Sequence, residues 1–197
     1  MKMNDIPGWF HGPHQTETIK LLWKYNYPGC VGVEVGCLHG RSSYAISVAI
    51  NKGTLYCIDL WDGRDSYDPQ FSDVMITKHK LPPKESYNIK ETFLKNTEDR
   101  KNIVAIQGSS PEVVQDWTKP IDFIFLDASH HNPSDRNNID FWLPKIKPGG
   151  IFLGHDWYED RKIPDVNTNV EYMEELLKQK VTIIPKTSIW YFTLPKI

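Results

Sequence analysis

The sequence predicts an α/β protein: a doubly wound, mostly parallel seven-stranded sheet with helices on both faces and a C-terminal antiparallel β-hairpin. Three observations point to it. Five short apolar runs alternate with segments of helical spacing. Four acids, Glu34, Asp59, Asp127 and Asp156, fall in or at the carboxyl ends of such runs, where open α/β sheets place their ligands. Between the first run and the first following helix lies a glycine-bearing turn, Val35-Gly36-Cys37-Leu38-His39-Gly40. At 197 residues one domain spanning 1–197 is expected.

In chain order, 1–13 reads as an irregular arm broken by Pro7, Gly8, Gly12 and Pro13. Its Trp9 and Phe10, with His11 and His14, are read as anchors of the arm, pocket lining being the alternative. Thr16 to Tyr25 has helical spacing and stops at Tyr27-Pro28-Gly29. Val31 to Val35 is the first strand. A helix follows with Ser42 or Ser43 near its N-cap. Thr54 to Asp59 is the second strand. Residues 62–88 are loop-forming and long for a connection, so a lid or an insertion is expected there, with Tyr67 and Phe71 facing the acceptor or packing inward.

Helical spacing resumes over Tyr87 to Asn96. Asn102 to Gly108 is the third strand. Ser110 and Pro111 open a further helix. Ile121 to Asp127 is nearly continuously apolar, the signature of a central strand buried on both faces. Ser134 to Ile146 is helical, Lys147-Pro148-Gly149-Gly150 a turn, and Ile151 to Trp157 the fifth strand. Asn167 to Lys178 is the last helix. Val181–Ile184 and Ser188–Leu194 form the closing hairpin.

Composition narrows the function. Lys plus Arg number 23 against 25 for Asp plus Glu, a formal charge of -2, which offers no footprint for a nucleic acid. No apolar run approaches a membrane span, and the polar start Met1-Lys2-Met3-Asn4-Asp5 is unlike a signal peptide. With three cysteines, Cys30, Cys37 and Cys57, in or beside expected strands and none at zinc spacing, reduced thiols and a cytoplasmic setting are expected.

The turn carries Glu34-x-Gly36-x-x-x-Gly40-x-Ser42 rather than the dinucleotide pattern G-x-G-x-x-G. An acid there repels a pyrophosphate and suits a ligand with a cationic end. This resembles motif I of the class I S-adenosylmethionine (SAM) methyltransferases, whose cofactor carries an ammonium and a sulfonium. Asp59 then stands where ribose hydroxyls are taken. Ser109 and Ser110, at the end of the third strand, either meet the adenine or simply cap.

The run from Ile121 to Trp157, with Asp127-Ala128-Ser129-His130-His131 and Pro148-Gly149-Gly150 before His155-Asp156-Trp157, resembles the Methyltransferase-24 family, which includes macrocin-type sugar O-methyltransferases. The Phe93–Asn96 segment, Gly108 to Glu112 and Ser188 to Tyr191 fit the same pattern. The resemblance implies a Rossmann-like fold and methyl transfer from SAM to a hydroxyl of a small molecule or sugar. It implies no nucleic-acid or membrane partner, and a homo-oligomer is compatible with it. It implies cofactor contacts at Glu34, Gly36, Cys37, Gly40, Ser42, Asp59, Leu60, Ser109, Ser110 and Asp127. It also implies His130 as general base with Asp127 in the catalytic centre, and Asp127 and Asp156 as ligands of a divalent ion such as Mg²⁺. Trp157 departs from the family, which usually has an acid or Asn there as a further ligand; His131, His155 or water would have to replace it. A SAM-binding module without turnover is therefore the alternative. An NAD-dependent oxidoreductase and a base N-methyltransferase are disfavoured by the absent G-x-G-x-x-G and Asn/Asp-Pro-Pro-aromatic elements.

Overall fold

The structure is a computed structural model and describes residues 3–62 and 88–196. The expected lid at 62–88, with Tyr67 and Phe71, therefore lies almost wholly outside the described residues. Seven strands form one sheet: β1 Val31–Val35, β2 Thr54–Asp59, β3 Ile103–Gln107, β4 Ile121–Leu126, β5 Ile146–Gly154, β6 Thr182–Ile183 and β7 Trp190–Thr193. Their order is β3-β2-β1-β4-β5-β7-β6. The first five run parallel; β7 is antiparallel to both β5 and β6. Because β1 lies between β2 and β4, the chain reverses its direction of winding there. The crevice beyond the tips of β1 and β4 is the place such sheets reserve for ligands.

The helices are α1 Pro13–Leu22, α2 Arg41–Ala49, α3 Ile89–Asn96, α4 Ser134–Trp142 and α5 Pro164–Leu177. Strand alternation explains how they distribute. Along β4, Phe123 and Phe125 point into one core with Leu22, Ile46 and Phe93 of α1, α2 and α3. Ile124 and Leu126 point into the other with Ile139, Trp142, Val170 and Met173 of α4 and α5. Every residue of β4 is buried, as its continuous apolar run requires. Its single acid, Asp122, is satisfied at the far end of the sheet from the ligand crevice. It accepts from the Val31 N–H at 2.7 Å and pairs with Lys147 at 2.8 Å.

Several boundaries differ from the sequence expectation. Helix α1 starts at Pro13 rather than Thr16, because proline suits a first helical position and Gly12 supplies the cap. Ser42 and Ser43 do not cap α2: Gly40, in a left-handed conformation at φ 88°, does, and both serines are buried in its first turn. Ser110-Pro111 opens only a 3₁₀ turn, Glu112–Val114. Helix α4 ends at Trp142, and the turn expected at 147–150 is the start of β5, which pairs through Ile146 with Ile121 after a register shift. Helix α5 begins at Pro164. No helix among the described residues is long and apolar enough to cross a membrane.

Candidate active site

A cavity of about 720 Å³ opens over the tips of β1, β2, β4 and β5, a volume in the range of small-molecule sites. Its floor is the β1–α2 loop. Asp59, at the tip of β2, organises that loop. One carboxylate oxygen accepts from the Cys37 and Leu38 amides at 2.7 and 2.9 Å, and the other accepts from the Trp61 amide at 2.6 Å. Trp61 closes the arrangement by donating its indole N–H to the Leu38 carbonyl at 3.0 Å. Asp59 does line the cavity, but its lone pairs already serve three loop amides, a role the sequence did not reveal.

The two glycines of the turn serve the chain itself. Gly36 has φ 87°, and a Cβ there would lie 1.9 Å from the Asp127 carbonyl oxygen. At Gly40 a Cβ would meet Thr97 and Phe93 of the α3 region at 2.9 and 3.0 Å. Their absence of side chain lets the loop pass β4 and α3. Gly36 lines the cavity and Gly40 does not. Glu34 is also displaced from its expected place: it is completely buried beneath the loop and forms no part of the cavity wall. Burial raises its pKa to about 7.

Cys37, Ser42, Leu60, Ser109 and Ser110 all line the cavity. Ser110 is committed within the fold, donating to Asn138 Oδ1 at 2.6 Å and accepting from Trp142 Nε1 at 3.2 Å. Ser109 donates to Glu112 at 2.7 Å.

The polar centre lies where β4 and β5 end. His130 Nε2 sits 3.2 Å from Asp156 Oδ2 and 3.5 Å from Asp127 Oδ1. His155 Nδ1 sits 3.1 Å from Asp156 Oδ1 and 3.6 Å from Asp127 Oδ1. Tyr158 donates to Asp156 Oδ1 at 3.0 Å. His130 and Asp156 both have left-handed backbones, at φ 60° and 59°. Such conformations are costly outside glycine and concentrate at functional sites. Here they turn two side chains from different strands toward one point. Burial disfavours a charge on His130, yet its hydrogen bond to Asp156 and the charge of Asp127 outweigh it and lift the imidazole to about 9. Asp156 is held far below the usual carboxylate range: burial opposes this, and the two histidines overcome it.

Donor atoms of Asp127, His130 and Asp156 lie within 4.8 Å of one another. His131 turns away, 80% exposed at its side chain, toward Asp165. Trp157 packs against the apolar core. Residues from the arm complete the wall: Trp9, Phe10, His11 and His14. Phe10 is both anchor and lining, edge-on to Phe125 at 5.7 Å between ring centroids. His14 Nε2 accepts from the Ser188 amide at 3.3 Å, clipping the arm to the segment before β7. Sequence spacing could not show this contact across 174 residues, nor the cavity position of Ser188 itself.

Residues 33–157 match the family described as Methyltransferase domain (Methyltransferase-24). The chain belongs to this family. Solved methyltransferase structures share its Rossmann-like architecture. An rRNA methylase from Streptococcus thermophilus superposes with TM-score 0.62 at 12% identity, covering 96% of this chain and 99% of that one. An O-methyltransferase from Bacillus cereus in complex with SAH gives 0.59 at 14%, covering 97% and 85%. A precorrin-6y C5,15-methyltransferase from Geobacter metallireducens gives 0.60 at 13%, covering 90% and 85%. At these identities the likeness shows the fold of the methyltransferase, and the acceptor must be argued from its own side chains.

Proposed function

We propose that this methyltransferase transfers a methyl group from SAM to a hydroxyl of a small, hydroxylated acceptor. The observation that carries the reading is the convergence of Asp127, His130 and Asp156, within 4.8 Å, in the wall of the same cavity that the glycine loop floors. SAM supplies an electrophilic methyl group when bound. The cavity fits it: a volume of about 720 Å³, apolar walls at Val35, Ile58 and Leu60, and carboxylates at Asp59 and Asp127 to meet a cationic ligand. Asp59 holds three loop amides, and the lone pair they leave would accept from a ribose hydroxyl. Leu60 and Ser109 would hold the nucleoside, and Gly36 and Cys37 the methionine end.

Asp127 and Asp156 would also hold a divalent cation of the Mg²⁺ class, two carboxylates being an adequate set when water fills the remainder, with His130 left beside it as the base. Such an ion would lower the hydroxyl's pKa and orient its oxygen. The chain's own contribution is alignment and proton handling. In the structure the two carboxylates keep His130 charged. When a cationic ligand shares those carboxylates, that demand falls and Nε2 becomes a proton acceptor for the hydroxyl.

The arm favours a small acceptor. Trp9, His11 and His14 wall the cavity beside the catalytic cluster, and a formal charge of -2 gives no net attraction for a phosphate backbone. The test is calorimetric binding of S-adenosylhomocysteine, followed by methyl transfer to a panel of catechols and glycosides with Mg²⁺ or chelator. Binding together with hydroxyl methylation is expected. Failure to bind S-adenosylhomocysteine overturns the reading, and methylation of rRNA fragments in place of the panel overturns the acceptor class.

A further inference from the structure

Beneath the glycine loop lies a second cluster that the methyl-transfer reading does not use. Glu34 and Cys57 are register partners on adjacent parallel strands, so their side chains share one face of the sheet. Cys37 returns over them from the loop, its Sγ 3.6 Å from the carbonyl oxygens of Glu34 and Ile58. Cys57 Sγ donates to Glu34 Oε2 at 3.6 Å. One donor atom from each of the three residues falls within 4.8 Å of the others. Glu34 and Cys57 are completely buried and Cys37 is 2% exposed.

The cluster is polar but not internally satisfied. Glu34 Oε1 and the Ser43 hydroxyl in the first turn of α2 are buried without a hydrogen bond of good geometry, although the Ser42 and Ser43 hydroxyls face the carboxylate. An unmet buried acceptor costs about 1–3 kcal/mol, more when charged. Two thiols and a carboxylate facing one another in a buried pocket form a donor set for a cation. Hard ions are excluded by the thiols, which select thiophilic metals. Tetrahedral coordination with Zn–S near 2.3 Å puts donor atoms about 3.8 Å apart. The donors, now within 4.8 Å of one another, would close by up to about 1 Å on binding.

We propose that Glu34, Cys37 and Cys57 form a binding site for one thiophilic divalent cation of the zinc class, separate from the Asp127–His130–Asp156 centre. Binding exchanges ions without oxidation: the cation and two thiols give a bis-thiolate complex and two protons, which leave to solvent together with any proton held by Glu34. Glu34 supplies the third ligand and Ser43 or a water the fourth position. Cys37 lines the cavity whereas Glu34 and Cys57 do not, so the ion reaches the site through the cavity floor. Cys37 also carries one of the amides that Asp59 holds, so a cation on its sulfur clamps the loop from below.

The site is independent of the proposed methyl transfer and is tested without an acceptor. The reduced, metal-free full chain is titrated with Cd²⁺ as probe, and Zn²⁺ is then added as competitor. A thiolate-to-cadmium charge-transfer band saturating at one equivalent, with displacement by Zn²⁺ and, above about pH 8 where Glu34 is already ionised, about two protons released per ion, is expected. Cys37→Ser and Cys57→Ser should abolish the band; Cys30→Ser and Asp127→Asn should keep it. Cadmium NMR of the wild-type complex counts bound sulfurs directly, so the outcome does not depend on a variant folding. A two-sulfur shift supports the site. Absence of the band, its survival in Cys37→Ser, or a shift typical of oxygen and nitrogen ligands alone overturns it.

Discussion

Gly36 lies so close to Asp127 that a methyl group on it would stand 1.9 Å from the Asp127 carbonyl oxygen. The contact ties the tip of β1 to the tip of β4, reinforced by the Asp127 amide donating to the Val35 carbonyl at 2.8 Å. The floor of the cavity and its reactive carboxylate are therefore one rigid unit. Gly36→Ala combines a backbone clash with a φ of 87° that L residues rarely adopt. A loss of about 3 kcal/mol is expected from strain and overpacking together. Urea denaturation should show it as a lower midpoint at an unchanged slope.

His130→Ala, Asp127→Asn and Asp156→Asn remove members of one cluster. Each should lower methyl transfer by about 10²–10⁴-fold, the usual worth of a positioned acid or base. His130→Ala and Asp156→Asn should leave S-adenosylhomocysteine affinity within a few-fold, because neither residue belongs to the glycine loop. Their effects should not add, since all three meet at one point. Chelation should silence the enzyme and Mg²⁺ restore it; activity unaffected by chelator would remove the cation from the centre and leave the His130 pair with the two acids as the whole device.

Much of this site is legible in sequence because each strand announces its own end. An apolar run that stops on an acid needs only a local pattern, so Asp59, Asp127 and Asp156 are found where the sheet's tips converge. What escapes is set by backbone angles and by distant contacts. His130 and His131 are adjacent and identical in type; only the left-handed turn at His130 decides which faces Asp156. Glu34 reads as a ligand-facing acid, but its register with Cys57 buries it. The clip between His14 and Ser188 joins the two ends of the described chain and has no local signature.

Burial alone depresses the pKa of His39 from 6.5 to about 4. A histidine with a lowered folded-state pKa favours the unfolded chain once protons are plentiful. Its stabilising contribution is complete above pH 6.5 and is lost as the pH falls toward 4. A shift of this size corresponds to about 3 kcal/mol. His14, lowered to about 4 chiefly by burial, acts in the same direction. His39→Asn should flatten the decline in thermal midpoint between pH 6.5 and 4, relative to wild type, starting from a midpoint already lowered above pH 7 by loss of the buried ring.

Trp9 and Phe10 are neighbours with opposite assignments, and a paired substitution separates them. Phe10 is 4% exposed, packed edge-on to Phe125 and 6.2 Å from the His155 ring, so it fastens the arm to the core. Phe10→Ala should cost about 3 kcal/mol in stability through the cavity it leaves. Undocking of the arm would then carry the His14–Ser188 contact with it. Trp9 is 41% exposed and lines the cavity mouth. Trp9→Ala should change stability by no more than about 0.5 kcal/mol, as substitutions outside the core do. Its effect should appear in the acceptor's KM, raised about tenfold for ring-bearing acceptors that stack on an indole, with S-adenosylhomocysteine affinity unchanged. A Trp9→Ala variant with wild-type KM across the acceptor panel would assign the arm to anchoring alone, and a Trp9→Phe variant restoring KM would assign the effect to the ring face rather than to the indole N–H.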